Sequence, residues 1–344
     1  MLVWASGLFL ILFGKVLFKN MTKERERRRF LWWSGLILVF IMGSRYATVD
    51  GRHDLNNYYR MFAYINERWM SITQTKIEIG YLFFNKILHS IVPWNQAILY
   101  AEAVICIGAL FYYIYRNSAD PFLSVLTYVA GGLMIFELTG FRQAIAMSIG
   151  IYAIECAKQR KLIPFLILVL FASLFHKTAL ALIVVYPCIV WKTKSAGDLF
   201  KWIAALLLFF AISDRLLAIG SELTSNDYTE NMFKGNLIGP AINITFYLIP
   251  ILYYICYEKN DLNVNVLLMG LLVYLLRFVS LPFERISFYF LHSTVIALPR
   301  VIRDASKYSR NPRLIRLLFC VMMIALFIYR VQSTIGVEYR FFWG

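Results

Sequence analysis

Long apolar runs alternate with short basic loops along the whole chain. Runs of this length with few charges are typical of membrane-spanning helices, whereas a transmembrane β-barrel would show short alternating segments. The pattern therefore predicts an all-α, polytopic integral membrane protein, formed by a single domain over residues 1–344. About twelve spans are predicted, at about 2–18, 30–48, 95–115, 122–136, 143–157, 162–176, 179–191, 199–218, 240–257, 263–281, 286–300 and 314–331.

Clusters of lysine and arginine set the predicted orientation of these spans. Four such clusters occur, at 19–29, 158–161, 192–201 and 300–316. Because short loops rich in lysine and arginine stay in the cytoplasm, all four are placed inside. Both termini are then predicted outside, and two polar loops, at about 50–78 and 219–238, face outward.

The first outer loop has an amphipathic pattern of its own. Apolar residues recur there at helical spacing, at Leu55, Tyr58, Phe62, Ile65 and Trp69. This spacing predicts a helix that lies in the membrane interface, with Asp54 as its N-cap. The apolar segment that follows, at about 79–92, is short for a span and stops before Pro93, which favours a half-inserted or re-entrant helix.

Composition excludes several classes of function but does not assign one. The 344 residues are 60% hydrophobic and carry a formal charge of +15. In a soluble protein that charge would suggest nucleic acid, but here the cations lie mostly in short loops and act as topology signals, so membrane lipids are the expected contacts. The five cysteines lie inside apolar runs without metal-ligand spacing, and we expect neither a metal nor a cofactor. P-loop and hydrolase-elbow motifs are absent from the sequence.

Polar residues collect at the predicted outer boundary, at Asp54, Glu78, Arg142, Gln143, His176 and Arg285. Two of them, Arg142 and Arg285, each open a helix shortly after a helix breaker, Gly140 or Pro282. The dipole at a helix N-terminus disfavours a cation unless an anion joins it. Two arginines with free helix amides are therefore suited to a diphosphate. The alternative for Arg142 is an interfacial arginine that reaches lipid headgroups.

A further arginine, Arg277, lies deeper in a predicted span. A central arginine costs at least about 2.5 to 3.5 kcal/mol, so Arg277 requires an anionic partner or a wet cavity. Glu284 is the candidate partner within the chain, and such a pair would make Arg277 structural.

Two residues are candidates for the acceptance of a proton. Asp54 is explained by helix capping, yet an outer carboxylate can also deprotonate a hydroxyl when substrate desolvates it. His176 is either a satisfied interfacial histidine or the base, because histidine titrates near neutral pH. Glu78 either binds hydroxyls or pairs with Lys76 or Lys86.

The same residues form five short motifs in a fixed order over about residues 45–290. These are Asp54-x-x-x-Tyr58, Glu78-x-Gly80-Tyr81, Arg142-Gln143-x-x-Ala146, His176-Lys177-Thr178-Ala179 and Arg285-x-x-x-Tyr289. Together they resemble the EpsG/Wzy-type family of bacterial polysaccharide polymerases. The resemblance implies a multi-pass inner-membrane enzyme with a GT-C-like helical fold, metal-independent and with its active site facing the periplasm.

The resemblance also implies substrates and roles. Such an enzyme transfers a growing glycan from undecaprenyl diphosphate to the terminal sugar of a lipid-linked repeat unit, with a chain-length regulator as a candidate partner. The implied roles are diphosphate binding by Arg142, Gln143, Arg285 and Arg277, proton transfer by Asp54 or His176, and sugar binding by Glu78, Tyr58 and Tyr81. The alternatives are a ligase that uses the same donor and a flippase or exporter of the lipid-linked glycan, although a flippase would carry cations along a path through the bilayer.

Overall fold

A computed structural model provides the fold. It describes residues 2–46, 54–67, 69, 77–189, 196–198, 200–204, 207, 208, 211, 215, 218, 238–258, 261–278, 282–335 and 339–343. Within these ranges the chain is helical, and the β-structure found there is an isolated antiparallel bridge between Arg45 and Phe341. The predicted all-α class is therefore confirmed.

The helices follow the apolar pattern of the sequence. The first seven are α1 (Leu2–Leu17), α2 (Glu24–Gly43), α3 (Asp54–Ala63), α4 (Ile79–Ile91), α5 (Ala97–Asn117), α6 (Pro121–Ala130) and α7 (Leu133–Glu137). The next three are α8 (Phe141–Lys158), α9 (Leu162–Ser173) and, after a 3-10 segment (Lys177–Val184), α10 (Val185–Ile189). The last four are α11 (Ile238–Tyr257), α12 (Asn263–Leu275), α13 (Pro282–Tyr308) and α14 (Pro312–Arg330), with a 3-10 turn (Leu276–Phe278) after α12 and a π turn (Val331–Ile335) after α14.

Among the described residues, three helices are long and apolar enough to cross a membrane: Ala97–Asn117, Ile238–Tyr257 and Pro312–Ser333. Shorter apolar helices accompany them, including Leu2–Leu17 and Leu162–Ser173. These helices support a membrane protein, while the number of about twelve spans stays a prediction. The second outer loop, at 219–238, lies almost entirely outside the described residues.

The predicted span at 122–136 consists of two helices. Asp120 caps α6, because its side chain accepts a hydrogen bond from the backbone N–H of Leu123 at 3.3 Å. The helix ends at Gly131, and Gly132 has a φ of +98°, a left-handed conformation that glycine adopts without strain. The run therefore breaks at this glycine pair before α7 begins.

The predicted inner loop at 300–316 is shorter than expected. Helix α13 extends for 27 residues to Tyr308, so the first cations of that loop lie on its last turns. Asp261 and Glu258 bind Arg300 there, at 3.1 and 2.6 Å. Since these ion pairs neutralise the charge, the helix continues through a segment whose charge pattern indicated a loop.

Packing of adjacent helices brings distant parts of the chain to one end of the bundle. Helix α2 packs along α5, α8 along α9, and α12 along α13. The C-terminal segment returns to the end of α2, where the backbone N–H of Tyr46 donates to Arg340 O at 2.8 Å and that of Phe342 donates to Ser44 O at 3.0 Å. The starts of α4 and α8 and the end of α9 meet at this end.

Candidate active site

A buried carboxylate, Glu78, joins three helix ends. Its Oε2 accepts a hydrogen bond from Arg142 Nη1 at the start of α8. Its Oε1 accepts one from the backbone N–H of Lys177 at 3.2 Å and lies 3.2 Å from His176 Nδ1, just after α9. We call Glu78, Arg142 and His176 the Glu78 centre. Because an ionised carboxylate only accepts hydrogen bonds, Nδ1 of His176 carries the proton in this contact and Nε2 keeps its lone pair.

The partners of Glu78 differ from those that the sequence indicated. Lys86 lies with its ammonium 3.9 Å from the centre of the Trp69 ring, and Lys76 lies outside the described residues. Of the alternatives for Glu78, binding of hydroxyls stays a prediction, and pairing with Lys86 is wrong. Arg142 and His176 take its place.

Glu78 also explains why Arg142 tolerates a helix N-terminus. The dipole at the start of α8 disfavours the guanidinium, and a protein carboxylate supplies the compensating anion. The side chain of Arg142 remains 24% exposed beside this contact. Glu78 therefore holds the guanidinium of Arg142 on one side, and its other side remains accessible to a ligand.

A close backbone approach positions Glu78. Two residues further on, the backbone N–H of Gly80 donates to Leu174 O at 2.9 Å, which docks the start of α4 on the end of α9. A Cβ on Gly80 would lie 2.7 Å from both the Cβ and the carbonyl oxygen of Leu174. Glycine is required here because the two backbones touch.

Substitution of Gly80 by alanine is expected to lower the free energy of unfolding by about 1–3 kcal/mol, the usual cost of overpacking. Gly239→Ala is the matched control, because a Cβ on Gly239 would meet nothing within 4 Å. Unfolding of the purified proteins in detergent measures both. Equal stability of the two variants would contradict the proposed docking of α4 on α9.

Tyr58 on α3 holds the other side of Arg142. Its hydroxyl accepts a hydrogen bond from Arg142 Nε at 3.2 Å, and its ring stacks on Phe141 with centroids 5.4 Å apart. Tyr81 packs edge-on against Tyr58 at 5.6 Å and is fully buried. This burial favours a packing role for Tyr81 over the predicted contact with sugar.

Asp54 is the first residue of α3, one helical turn before Tyr58. The helix therefore forms over the first part of the predicted segment, ending at Ala63, and Tyr58 reaches the Glu78 centre. The side chain of Asp54 lies outside the described part of the chain, so its role as base or cap stays a prediction.

The charges of the Glu78 centre set its protonation state. Burial alone raises the pKa of Glu78, but the hydrogen bond from His176 and the charge of Arg142 outweigh burial and lower this pKa to about 2. Burial lowers the pKa of His176, and Glu78 opposes that shift without cancelling it. At neutral pH the carboxylate is therefore ionised, and His176 is a neutral imidazole.

A second group of polar residues, the Arg277–Arg330 cluster, surrounds Glu284 on α13. Arg277 Nη1 donates to Glu284 Oε1 at 3.2 Å and to the hydroxyl of Tyr274 at 2.7 Å. Asn243 joins Tyr274 at 3.1 Å and accepts from Arg330 Nη2 at 2.8 Å. The predicted partner of Arg277 is confirmed, and Arg330 acts electrostatically on the same carboxylate.

Arg330 was missed in the sequence because an arginine at the end of a span resembles an ordinary helix terminus. Its guanidinium covers the α6–α7 break, where a Cβ on Gly132 would lie 2.4 Å from Arg330 Nη1. The pair Gly131-Gly132 within an apolar run was the signal that a side chain packs onto the backbone there.

The side chain of Gln143 binds the backbone of Arg285. Gln143 Nε2 donates to Arg285 O at 2.6 Å, so this buried amide links the starts of α8 and α13. The side chain of Arg285 is exposed and is close enough to act electrostatically on both His176 and Glu284. Arg285 therefore lies between the Glu78 centre and the Arg277–Arg330 cluster.

Arg45, just after the end of α2, lies next to the aromatic residues of the site. It is 8% exposed, and its guanidinium lies 5.6 Å from the centre of the Phe141 ring, whose neighbour is Tyr58. Buried Glu102 on α5 acts electrostatically on Arg45. Arg45 thus lies against the aromatic pair, Phe141 and Tyr58, that contacts Arg142.

Three other buried polar residues were also missed. Glu137 accepts a hydrogen bond from the hydroxyl of Tyr128, and His292 Nε2 lies 3.4 Å from Glu137 Oε1. Tyr128 and His292 lie within predicted spans, and Glu137 directly follows the predicted span at 122–136. An ionisable residue inside an apolar run is itself a signal, because its burial in a membrane is costly.

Comparison with known families matches one family model, described as the EpsG family, over residues 28–342. The chain belongs to the EpsG family. Membership confirms the predicted resemblance and indicates a polysaccharide polymerase-type glycosyltransferase with lipid-linked oligosaccharide substrates. The matched range of this EpsG-family chain includes both the Glu78 centre and the Arg277–Arg330 cluster. No curated protein and no solved structure matches the chain, and the GT-C-like fold stays a prediction.

Proposed function

We propose that this EpsG-family protein transfers a growing glycan from undecaprenyl diphosphate to the terminal sugar of a lipid-linked repeat unit. The reaction takes place at the periplasmic face of the inner membrane. The observation that carries the proposal is the Glu78 centre, where a carboxylate orients a neutral histidine beside an arginine. This arrangement combines a proton acceptor with a cation, as glycosyl transfer from a diphosphate requires.

His176 is the proposed general base. With its Nδ1 proton directed to Glu78, the lone pair on Nε2 accepts the proton of the acceptor hydroxyl. The acceptor oxygen bonds to the anomeric carbon of the donor as the bond from that carbon to the diphosphate oxygen breaks. Direct displacement inverts the anomeric configuration. The proton on His176 then passes to solvent, and Asp54 is the alternative base.

Arginines stabilise the negative charge that develops on the leaving diphosphate. Arg285 is exposed between the two clusters, and Arg142 is partly exposed beside Glu78. The Arg277–Arg330 cluster adds a net positive charge at the same end of the bundle, because two guanidinium groups face one carboxylate. These cations provide the electrostatic stabilisation that other glycosyltransferases take from a metal ion.

Purified protein incubated with synthetic undecaprenyl-diphosphate repeat units tests the proposal. The expected product is a ladder of longer lipid-linked glycans, resolved by gel electrophoresis. Transfer of the glycan only to a different acceptor would identify a ligase. Movement of the repeat unit across the bilayer without lengthening would identify a flippase and overturn the proposal.

The pH dependence of extension distinguishes the two candidate bases. Since His176 must be neutral to accept a proton and its pKa is lowered, the rate is expected to rise with pH through an apparent pKa below about 6.5. Glu78 raises the pKa of His176, so Glu78→Gln is expected to move this limb to lower pH. Initial rates over a pH series measure the shift, and an unchanged limb in Glu78→Gln would contradict the assignment of His176 as base.

A further inference from the structure

A groove runs along the exposed side of the α2–α5 pair. The two helices run antiparallel, and a cavity of about 490 Å³ opens between them. Its walls are mainly apolar and include Leu31, Gly35, Val39, Val104, Gly108 and Phe111. Arg28 lines one end of the groove, on the side of the bundle away from the Glu78 centre.

A glycine on each helix shapes this groove. A Cβ on Gly108 would meet nothing within 4 Å, so the position faces open space. On the opposite helix, a Cβ on Gly35 would lie 3.4 Å from the ring of Phe111, so Gly35 lets this ring pack close to α2 at the floor of the groove. The recess therefore lies at Gly108, where a larger residue would close the surface.

The length of the groove matches one leaflet. From Arg28 to Val39 the helix rises by about 16 Å, at about 1.5 Å per residue. Half of a hydrocarbon core of about 30 Å is about 15 Å. When Arg28 lies at the membrane surface, the other end of the groove reaches the middle of the bilayer.

The end of the groove at Arg28, which we call its mouth, carries cationic and aromatic side chains. Arg28 and Arg116 are both exposed, and both act electrostatically on Tyr115, whose hydroxyl donates to Glu24 at 2.6 Å. One carboxylate thus faces two guanidinium groups. Trp32 is 68% exposed on the rim, which is the usual place of a tryptophan at headgroup depth.

We propose that this groove binds one acyl chain of an anionic phospholipid, with the lipid phosphate at Arg28. The apolar walls fit the chain and the mouth complements the charge of the headgroup. A second copy of this protein fits less well. Two copies related by a twofold axis along the membrane normal would bring their Arg28 side chains to the same depth and face to face.

Retention of lipid by the purified protein tests this site. Protein exchanged with mixed phosphatidylglycerol and phosphatidylcholine is examined by native mass spectrometry, and one retained phosphatidylglycerol is expected. Gly108→Leu fills the recess and is expected to lower retention at least about tenfold, because no space remains for the chain. Gly239→Leu is the matched control and is expected to retain lipid, since its Cβ also meets nothing within 4 Å.

A second variant tests the headgroup part independently of the recess. Arg28→Gln is expected to remove the preference for phosphatidylglycerol over phosphatidylcholine, whereas Arg25→Gln, outside the groove lining, is expected to keep it. Equal retention by Gly108→Leu and Gly239→Leu would overturn the proposal. A wild-type dimer without lipid that Gly108→Leu dissociates would assign the groove to a second copy and would also overturn it.

Discussion

His176→Ala is expected to lower the rate of glycan extension by about 10²–10⁴-fold, the usual contribution of a positioned general base. The loss arises because the acceptor hydroxyl would then have to lose its proton to water. Glu78→Gln is expected to lower the rate by about 10–100-fold, since an amide holds the imidazole less firmly in the required tautomer. Initial rates with synthetic repeat units, at saturating substrate, measure both effects.

His89→Ala is the matched control for His176→Ala. His89 lies on α4. The centre of its ring is 5.1 Å from the centre of the Phe62 ring, and its Nδ1 lies 3.0 Å from Asn66 Nδ2. Its loss is expected to leave the rate near that of the wild type. If His176→Ala extends glycan at the wild-type rate while Asp54→Asn does not, Asp54 is the base and the role of His176 is structural.

Arg285→Ala is expected to lower the rate by about 10²–10³-fold, because it removes a cation that stabilises the leaving diphosphate. Substitution of Arg285 is a more informative test than substitution of Arg277. The side chain of Arg285 is exposed, whereas loss of Arg277 would leave the partly buried Glu284 without its ion-pair partner and would also lower stability. A change in rate at Arg285 can therefore be separated from unfolding.

Arg313→Ala provides the control for loss of positive charge, because this exposed arginine lies near the start of α14, far along the chain from the site. Extension rates and thermal unfolding of both variants in detergent complete the comparison. A normal rate in Arg285→Ala would remove Arg285 from the proposed diphosphate site. A loss of rate in both variants would instead indicate a general dependence on surface charge.

The two groups of variants report on different steps. Loss of His176 acts on the acceptor hydroxyl, so its effect depends on pH. Loss of Arg285 acts on the donor diphosphate and is expected to weaken donor binding as well as slow the chemical step. A rise in donor KM with Arg285→Ala, and none with His176→Ala, would separate the two roles.

The apolar pattern predicted the location of most described helices, because apolar periodicity is a local property; the predicted span at 179–191 is instead a 3-10 segment, Lys177–Val184, followed by the short helix Val185–Ile189. Helices formed at Asp54–Ala63 and Ile79–Ile91, within the two segments where they were predicted, while their interfacial and half-inserted positions in the membrane stay predictions. Two other predictions failed where a side chain distant in sequence contacts the segment and favours a conformation that the local sequence did not indicate. Arg300 remained helical because Asp261 and Glu258 neutralise it, and the run at 122–136 broke where Arg330 covers Gly132.

The sequence by itself determined the membrane class, the family resemblance and which polar residues lie at one end of the bundle. It also determined that Arg142 needs an anion, since a helix dipole and a guanidinium repel wherever they occur. Only the tertiary structure decided that Glu78 is this anion and that it also orients His176. These residues are 64 and 98 positions from Glu78, and contacts over such separations arise from the docking of α4 on α9, which no local pattern encodes.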